Sequence, residues 1–139
     1  MNFFLNTNFI IEQGSSLKIS ELIQENIGNV SNPALIYDQI LEEQYHFSNV
    51  LKNLKNSFSN INIKINDNKG EPTYRYLNKL SDYFRNNNVD LVIAIGGGST
   101  MDLGKGIAFL ISNEGNALKY KGFPKNVKEP IPLITCPSL

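Results

Sequence analysis

The stretch that decides the fold reads Leu91-Val92-Ile93-Ala94-Ile95-Gly96-Gly97-Gly98-Ser99-Thr100-Met101-Asp102-Leu103-Gly104-Lys105. Its first five residues are apolar and mostly β-branched or long, which predicts a strand buried on both faces of a sheet. Three glycines follow and permit a sharp turn. Ser99 then stands where a helix N-cap belongs, and Asp102 follows where the first helical turn is expected. The stretch therefore predicts a strand, a glycine turn and the start of a helix.

The predicted start of the helix suits a phosphate group. Helix N-termini present N–H groups without intrahelical partners and a partial positive charge, and glycines let a ligand approach the backbone. We therefore expect a phosphate or pyrophosphate site at Gly97, Gly98 and Ser99. The alternative is a tight turn before a well-capped helix, in which Asp102 serves only as a capping residue.

Two widespread phosphate-binding patterns do not match this stretch. A P-loop requires glycine where Ser99 stands and serine or threonine where Gly106 stands. The dinucleotide fingerprint G-x-G-x-x-G, started at Gly96, requires glycine where Met101 stands. A nucleotide site here must therefore follow a different pattern.

Composition limits the classes of protein that fit this chain. It has 139 residues, of which 41% are hydrophobic and 19% charged, as in an ordinary globular domain. A net charge of +0 argues against a basic nucleic-acid surface or a membrane-attracting patch. No apolar run approaches the roughly 20 residues that span a bilayer, and the N-terminus lacks the features of a signal peptide. The single cysteine, Cys136, allows no internal disulfide. We expect a cytoplasmic protein without nucleic-acid or membrane partners.

Strand and helix patterns alternate along the chain. We expect strands at residues 3–5, 9–12, 33–38, 61–65, 91–95 and 131–136. Between them, apolar residues recur at helical spacing around residues 17–27, 47–58, 76–84 and 103–111. Ser15 or Ser16 is expected to cap the first helix and Thr73 the third. This alternation predicts one α/β domain over residues 1–139, with a parallel sheet flanked by helices and ligands at the carboxyl ends of the strands.

Residues 96–105 resemble the GGGSxxDxxK signature of the iron-containing (group III) alcohol dehydrogenases. This family belongs to a superfamily that includes glycerol dehydrogenase and 3-dehydroquinate synthase. The resemblance implies a Rossmann-like, NAD(P)-binding N-terminal domain of the dehydroquinate synthase-like fold. It also implies a C-terminal helical domain, absent from this sequence, that holds Fe²⁺ or Zn²⁺.

The same resemblance implies which residues contact the cofactor. Asp38 ends a strand, and a carboxylate there accepts hydrogen bonds from ribose hydroxyls and repels a 2′-phosphate, which favours NAD over NADP. Glu71 lies in a Gly-Glu-Pro-Thr segment that matches the family's segment beside the adenosine half of the cofactor. Ser138 matches the first threonine of a threonine-rich loop, whereas Leu139 replaces the second. In the signature, the implied contacts are Gly97, Gly98, Ser99, Thr100, Met101 and Asp102.

No catalytic residue and no metal ligand is expected in this sequence. His46 is the single histidine and has no neighbouring cysteine or histidine, so we assign it a structural or surface role. Lys105 lies three residues after Asp102 on the same helical face. The two form either a surface ion pair or, for Lys105, a contact on the cofactor side.

Three functional hypotheses follow. In the first, the chain is the cofactor-binding domain of a longer, homodimeric enzyme that interconverts an alcohol and an aldehyde or ketone, and these 139 residues alone are inactive. In the second, it belongs to a dehydroquinate synthase-like or glycerol dehydrogenase-like relative. Synthases of that kind usually lack the residues seen here at Ser99 and Lys105. In the third, it is a stand-alone nucleotide- or phosphate-binding module without catalysis.

Overall fold

The computed structural model describes residues 7–122 and 124–138. Single 3₁₀ turns cover Ser15–Lys18, Gln39–Glu43 and Ala117–Tyr120. In chain order the regular elements are α1 (Ile19–Asn26), β1 (Pro33–Asp38), α2 (Tyr45–Ser57), β2 (Asn62–Asn66), α3 (Tyr74–Asn86), β3 (Leu91–Gly96), α4 (Gly98–Ser112) and β4 (Leu133–Pro137).

The four strands form one sheet in the order β2-β1-β3-β4. All three pairings are parallel, and Leu35 of β1 stands opposite both Ile63 of β2 and Ile93 of β3. The strands therefore end along the same edge of the sheet, called the carboxyl edge below. This confirms the predicted α/β class with a parallel sheet and flanking helices.

Helices cover both faces of the central strand β3, in which every residue is buried. On one face Leu91, Ile93 and Ile95 pack in a core with side chains of α1 and α2. On the other face Val92 and Ala94 pack with α3 and α4. Because neither face meets water, the strand reads as a continuous apolar run, as the sequence predicts. None of the helices in the described part of the chain is long and apolar enough to cross a membrane.

Gly104 lets α4 lie close to β3. A Cβ atom at this position would stand 2.6 Å from the Cβ of Ala94, well inside van der Waals contact. The helix axis is thus held nearer to the sheet than a larger residue would allow, and this fixes where the N-terminus of α4 meets the carboxyl edge.

The N-terminal part of the chain differs from the sequence-based expectation. Residues 9–12 are not a strand: Phe9 and Ile11 are exposed, and no strand of the described sheet pairs with them. Apolar residues alone do not make a strand, because a strand also needs a neighbour for its backbone hydrogen bonds. The other predicted N-terminal strand, residues 3–5, lies outside the described residues.

Two smaller predictions concern helix caps and one concerns a strand boundary. The hydroxyl of Thr73 accepts from the backbone N–H of Tyr76 at 3.1 Å, which confirms its role as a cap. Ser15 and Ser16 do not cap α1: both lie inside the preceding 3₁₀ turn, and Ser16 bonds the ring of His46 at 2.9 Å. Strand β4 begins at residue 133, two residues later than expected.

Replacing Gly104 by alanine is expected to lower the free energy of unfolding by about 1–3 kcal/mol, because the new methyl group collides with the central strand. Gly106→Ala is the matched control in the same helix, since its Cβ would meet only the flexible end of Leu77, at 2.9 Å. Alanine improves helix propensity equally at both positions, by about 1 kcal/mol. Urea denaturation measures both variants, and equal stability of the two would contradict the close approach of α4 to β3.

Candidate functional site

The glycine turn lies at the carboxyl edge, between the end of β3 and the start of α4. Gly97 is the N-cap of α4, with extended backbone angles of φ −77° and ψ −176°. The first bond of the helix runs from the Met101 N–H to the Gly97 carbonyl, at 3.0 Å. Gly98, Ser99 and Thr100 precede this bond, so their N–H groups have no carbonyl one turn back in the helix. Of these residues, Gly98 is exposed and Ser99 half-buried, so their two amides and the partial positive charge of the helix end offer a surface that suits an anion.

The predictions that Ser99 and Asp102 cap α4 are both wrong. Ser99 lies inside the first turn of α4, and no side chain caps the helix at Gly97. Asp102 lies beyond the first turn and is exposed, where its carboxylate pairs with Lys105 Nζ at 3.0 Å. This is the surface ion pair that the sequence left open as an alternative, and such exposed pairs contribute little to stability.

Asp38, at the end of β1, binds both the glycine turn and the first turn of α4. Its Oδ2 accepts from the Gly97 N–H at 2.7 Å, and its Oδ1 accepts from the hydroxyl of Thr100. The carboxylate comes so close that a Cβ at Gly96 would lie 2.4 Å from Oδ2. Position 96 therefore requires glycine, because the Asp38 carboxylate occupies the space that any side chain there would need.

A buried amide completes this hydrogen-bonded group. Asn66, at the end of β2, donates from Nδ2 to the Thr100 hydroxyl oxygen at 2.7 Å. Thr100 is 0% exposed as a whole residue, so both its side chain and its backbone N–H are covered by protein and lie behind the turn rather than against a ligand. Sequence reasoning did not single out Asn66. The available signal was its position as a polar residue at the end of a predicted strand, beside Asp38 in a parallel sheet.

The end of β1 is itself held in place. The ring of Tyr37 packs against Phe47 with centroids 4.7 Å apart, and its hydroxyl donates to Glu42 at 3.0 Å. Burial, together with that hydrogen bond, raises the pKa of Tyr37 to about 12. Tyr37, the residue before Asp38, is thus held in the core that packs against α1 and α2.

Ser138 also lies at the glycine turn. Its backbone N–H donates to the carbonyl of Gly96 at 2.9 Å, which continues the pairing of β3 with β4. The structure therefore brings Ser138 together with Asp38 and the predicted residues at the start of α4. Met101 contributes its N–H to the helix, and its side chain is half-buried.

Glu71 and Asp102 meet at a second place next to the turn. Both line a cavity of about 210 Å³ between the start of α3 and α4, whose other lining residues are Pro72, Thr73, Tyr74, Leu77 and Leu103. The loop that carries Glu71 is tied back by Asn68, which donates from Nδ2 to the Glu71 carbonyl at 3.3 Å. The predicted residues thus form two neighbouring groups.

Within residues 7–122 and 124–138, no group of three or more His, Cys, Asp or Glu side chains is arranged to hold a metal ion. Burial raises the pKa of the Cys136 thiol, which makes it a poor nucleophile at neutral pH. The start of α4, with open space beside Gly98, is the part of the site that suits an anionic ligand.

A family model described as "Iron-containing alcohol dehydrogenase" matches residues 6–139. The chain belongs to the iron-containing alcohol dehydrogenase family. It is 40% identical over 63 residues to alcohol dehydrogenase 4 of Schizosaccharomyces pombe, a match that covers 45% of this chain and 15% of that protein. It is 24% identical over 133 residues to the NAD-dependent methanol dehydrogenase of Bacillus methanolicus, covering 96% of this chain and 34% of that protein. The chain thus spans about a third or less of these curated relatives.

Among solved structures, the chain resembles sulfoacetaldehyde reductase from Bifidobacterium kashiwanohense, crystallised in complex with NAD⁺. The TM-score is 0.72 at 21% identity, and the match covers 89% of this chain and 32% of that chain. A likeness at this identity shows the fold of iron-containing alcohol dehydrogenase N-terminal domains and supports the predicted Rossmann-like architecture.

Gly96→Ala is expected to destabilise the protein by about 2–4 kcal/mol, because the added methyl group overlaps the Asp38 carboxylate and forces it from the turn. Gly98→Ala is the control two residues away, since a Cβ there meets no atom within 4 Å. Its stability is expected to change by less than about 1 kcal/mol. Thermal and urea unfolding of both variants measure the difference, and an unaffected Gly96→Ala would show that Asp38 does not hold the turn.

Proposed function

We propose that the chain is the NAD-binding domain of an alcohol dehydrogenase-like oxidoreductase that interconverts an alcohol and an aldehyde or ketone. The observation that carries the proposal is the pair of accessible amides at Gly98 and Ser99, placed at a helix N-terminus on the carboxyl edge of a parallel sheet. Doubly wound folds bind dinucleotides at this place. The space beside Gly98 is open, so a diphosphate has room to approach these amides.

The remaining candidate residues fit the other parts of the cofactor. Asp38 is half-buried and offers further acceptor lone pairs to ribose hydroxyls, while a 2′-phosphate would be repelled, so we propose NAD rather than NADP. Glu71, Met101 and Asp102 are assigned to contacts along the neighbouring cavity. Ser138 is assigned to the side of the turn that faces β4. The NAD-dependent methanol dehydrogenase and the NAD⁺ complex named above support this choice of cofactor.

In the proposed reaction, the cofactor carries the hydride, and residues outside this domain hold the metal. Bound NAD supplies hydride acceptance from the alcohol, or hydride donation to the carbonyl as NADH. The residues of this chain bind and orient the cofactor. We propose that a divalent metal, either the iron of the family name or Zn²⁺ in its place, is held by further chain, because the matches cover 15–34% of the relatives named above. From membership of the family we propose a small-molecule alcohol or aldehyde as substrate, and we also propose a homodimer and a cytoplasmic location.

A charge reversal at the helix N-terminus separates cofactor binding from folding. Gly98→Asp is expected to weaken NADH binding at least about tenfold relative to Gly98→Asn, because its charge repels a diphosphate bound at the amides of residues 98 and 99. The same charge is favourable to the helix end, so the stability of Gly98→Asp is expected to equal or exceed that of Gly98→Asn. Titration calorimetry with NADH and urea denaturation measure the two properties.

The amide variant is the matched control, because it has nearly the same size without the charge. Equal NADH affinity of the two variants would argue that the diphosphate lies elsewhere. Absence of saturable NADH binding by the unmodified chain would falsify the proposed function itself.

A further inference from the structure

We propose that Thr100 and Asn66 are positioning residues that set both the affinity for NAD and the preference for NAD over NADP, without touching the cofactor. The proposal rests on the proposed function. It assigns to these two buried side chains the task of holding the Asp38 carboxylate in one orientation against the glycine turn.

The direction of each hydrogen bond in the group follows from its chemistry. Asn66 donates from Nδ2 to the Thr100 oxygen at 2.7 Å, while its Oδ1 accepts from the Asn68 N–H at 3.3 Å. The amide of Asn66 is thus oriented by two partners. A hydroxyl carries one proton, and since the Thr100 oxygen already accepts from Asn66, that proton is donated to Asp38.

Burial makes this arrangement specific. Thr100 is 0% and Asn66 8% exposed, so neither side chain exchanges its partners for water. Hydrogen bonds are stronger in a buried environment, and leaving one unmade there is costly. The Thr100 hydroxyl therefore has one low-energy arrangement, with its proton on the side of Asp38.

The consequence for Asp38 is that both of its oxygens are held. Oδ1 receives the Thr100 hydroxyl, and Oδ2 receives the Gly97 N–H at 2.7 Å. With the carboxylate fixed, only its remaining acceptor lone pairs are available to a ligand, which suits ribose hydroxyls and disfavours a phosphate. Released from Thr100, the carboxylate can rotate away, so the discrimination against a 2′-phosphate weakens together with the order of the turn.

The test compares Thr100→Val, which keeps the shape and removes the hydroxyl, with Thr100→Ser, which keeps the hydroxyl. In the full chain, Thr100→Val is expected to raise the dissociation constant for NADH about tenfold, as expected for loss of one hydrogen bond. The ratio of the NADPH to the NADH dissociation constant is expected to fall as well. Thr100→Ser is expected to restore both values to within about twofold of the unmodified protein, since it again donates to Asp38.

Asn66→Asp tests the direction of the bonds. Its carboxylate accepts and does not donate, so it draws the Thr100 proton away from Asp38, and the same loss of affinity and of cofactor preference is expected. Ser81→Ala is the control for deletion of a buried hydroxyl. Ser81 lies in α3, is 0% exposed, and has no hydrogen-bond partner among the described residues. Its removal is expected to leave both dissociation constants unchanged.

A purely structural role for Thr100 would lower the melting temperature and leave the NADPH-to-NADH ratio of the folded protein unchanged. That outcome, or unchanged binding in both Thr100→Val and Asn66→Asp, overturns the proposal.

A readout without cofactor separates this proposal from the proposed function. The amide proton resonance of Gly97 is expected to move upfield in Thr100→Val and to stay in place in Thr100→Ser, whether or not NADH binds. An unmoved Gly97 resonance in Thr100→Val overturns the positioning role. If the unmodified chain fails to bind NADH while Gly97 responds as expected, the proposed function fails and the positioning of the turn stands.

Discussion

The site depends on the hydrogen bonds that the carboxylate of Asp38 accepts. It joins the end of β1 to the turn after β3, through the Gly97 N–H at 2.7 Å and the Thr100 hydroxyl, and Thr100 in turn joins Asn66 at the end of β2. The strand order places β1 between β2 and β3, so three neighbouring strand ends are fastened at one point. Residues 59 positions apart in the chain thereby shape one turn.

Close packing restricts two positions near the site to glycine. A side chain at Gly96 would overlap the Asp38 carboxylate, and a side chain at Gly104 would overlap the Cβ of Ala94 in β3. The first glycine shapes the turn, and the second brings the helix down onto the sheet. Ser138 then continues the sheet beside the turn, through its bond to the Gly96 carbonyl. Next to this closely packed backbone, Gly98 is exposed and Ser99 half-buried.

The sequence predicted the architecture well, because the strongest signals for it are local. The apolar run of residues 91–95 and the helical periodicities depend on which faces are buried, and residue type reflects burial. The prediction of a strand at residues 9–12 was wrong because a strand needs a neighbouring strand to pair with, and composition does not reveal whether one is present. The prediction that Ser99 caps α4 was wrong because the helix begins one residue earlier, at Gly98, with Gly97 as its N-cap. Asn66 went unnoticed because its partner, Thr100, is distant in sequence and is brought to it by the strand order.

The measurement that tests the central claim most directly is a titration of the isotope-labelled chain with NADH, followed residue by residue through its amide resonances. Saturable shifts are expected that are largest at the amides of Gly98 and Ser99, with smaller shifts around Glu71. These amides sit at the helix end that Asp38 holds in place. Saturable shifts centred on another part of the molecule, with these two amides unmoved, would contradict the claim that the glycine turn binds the cofactor.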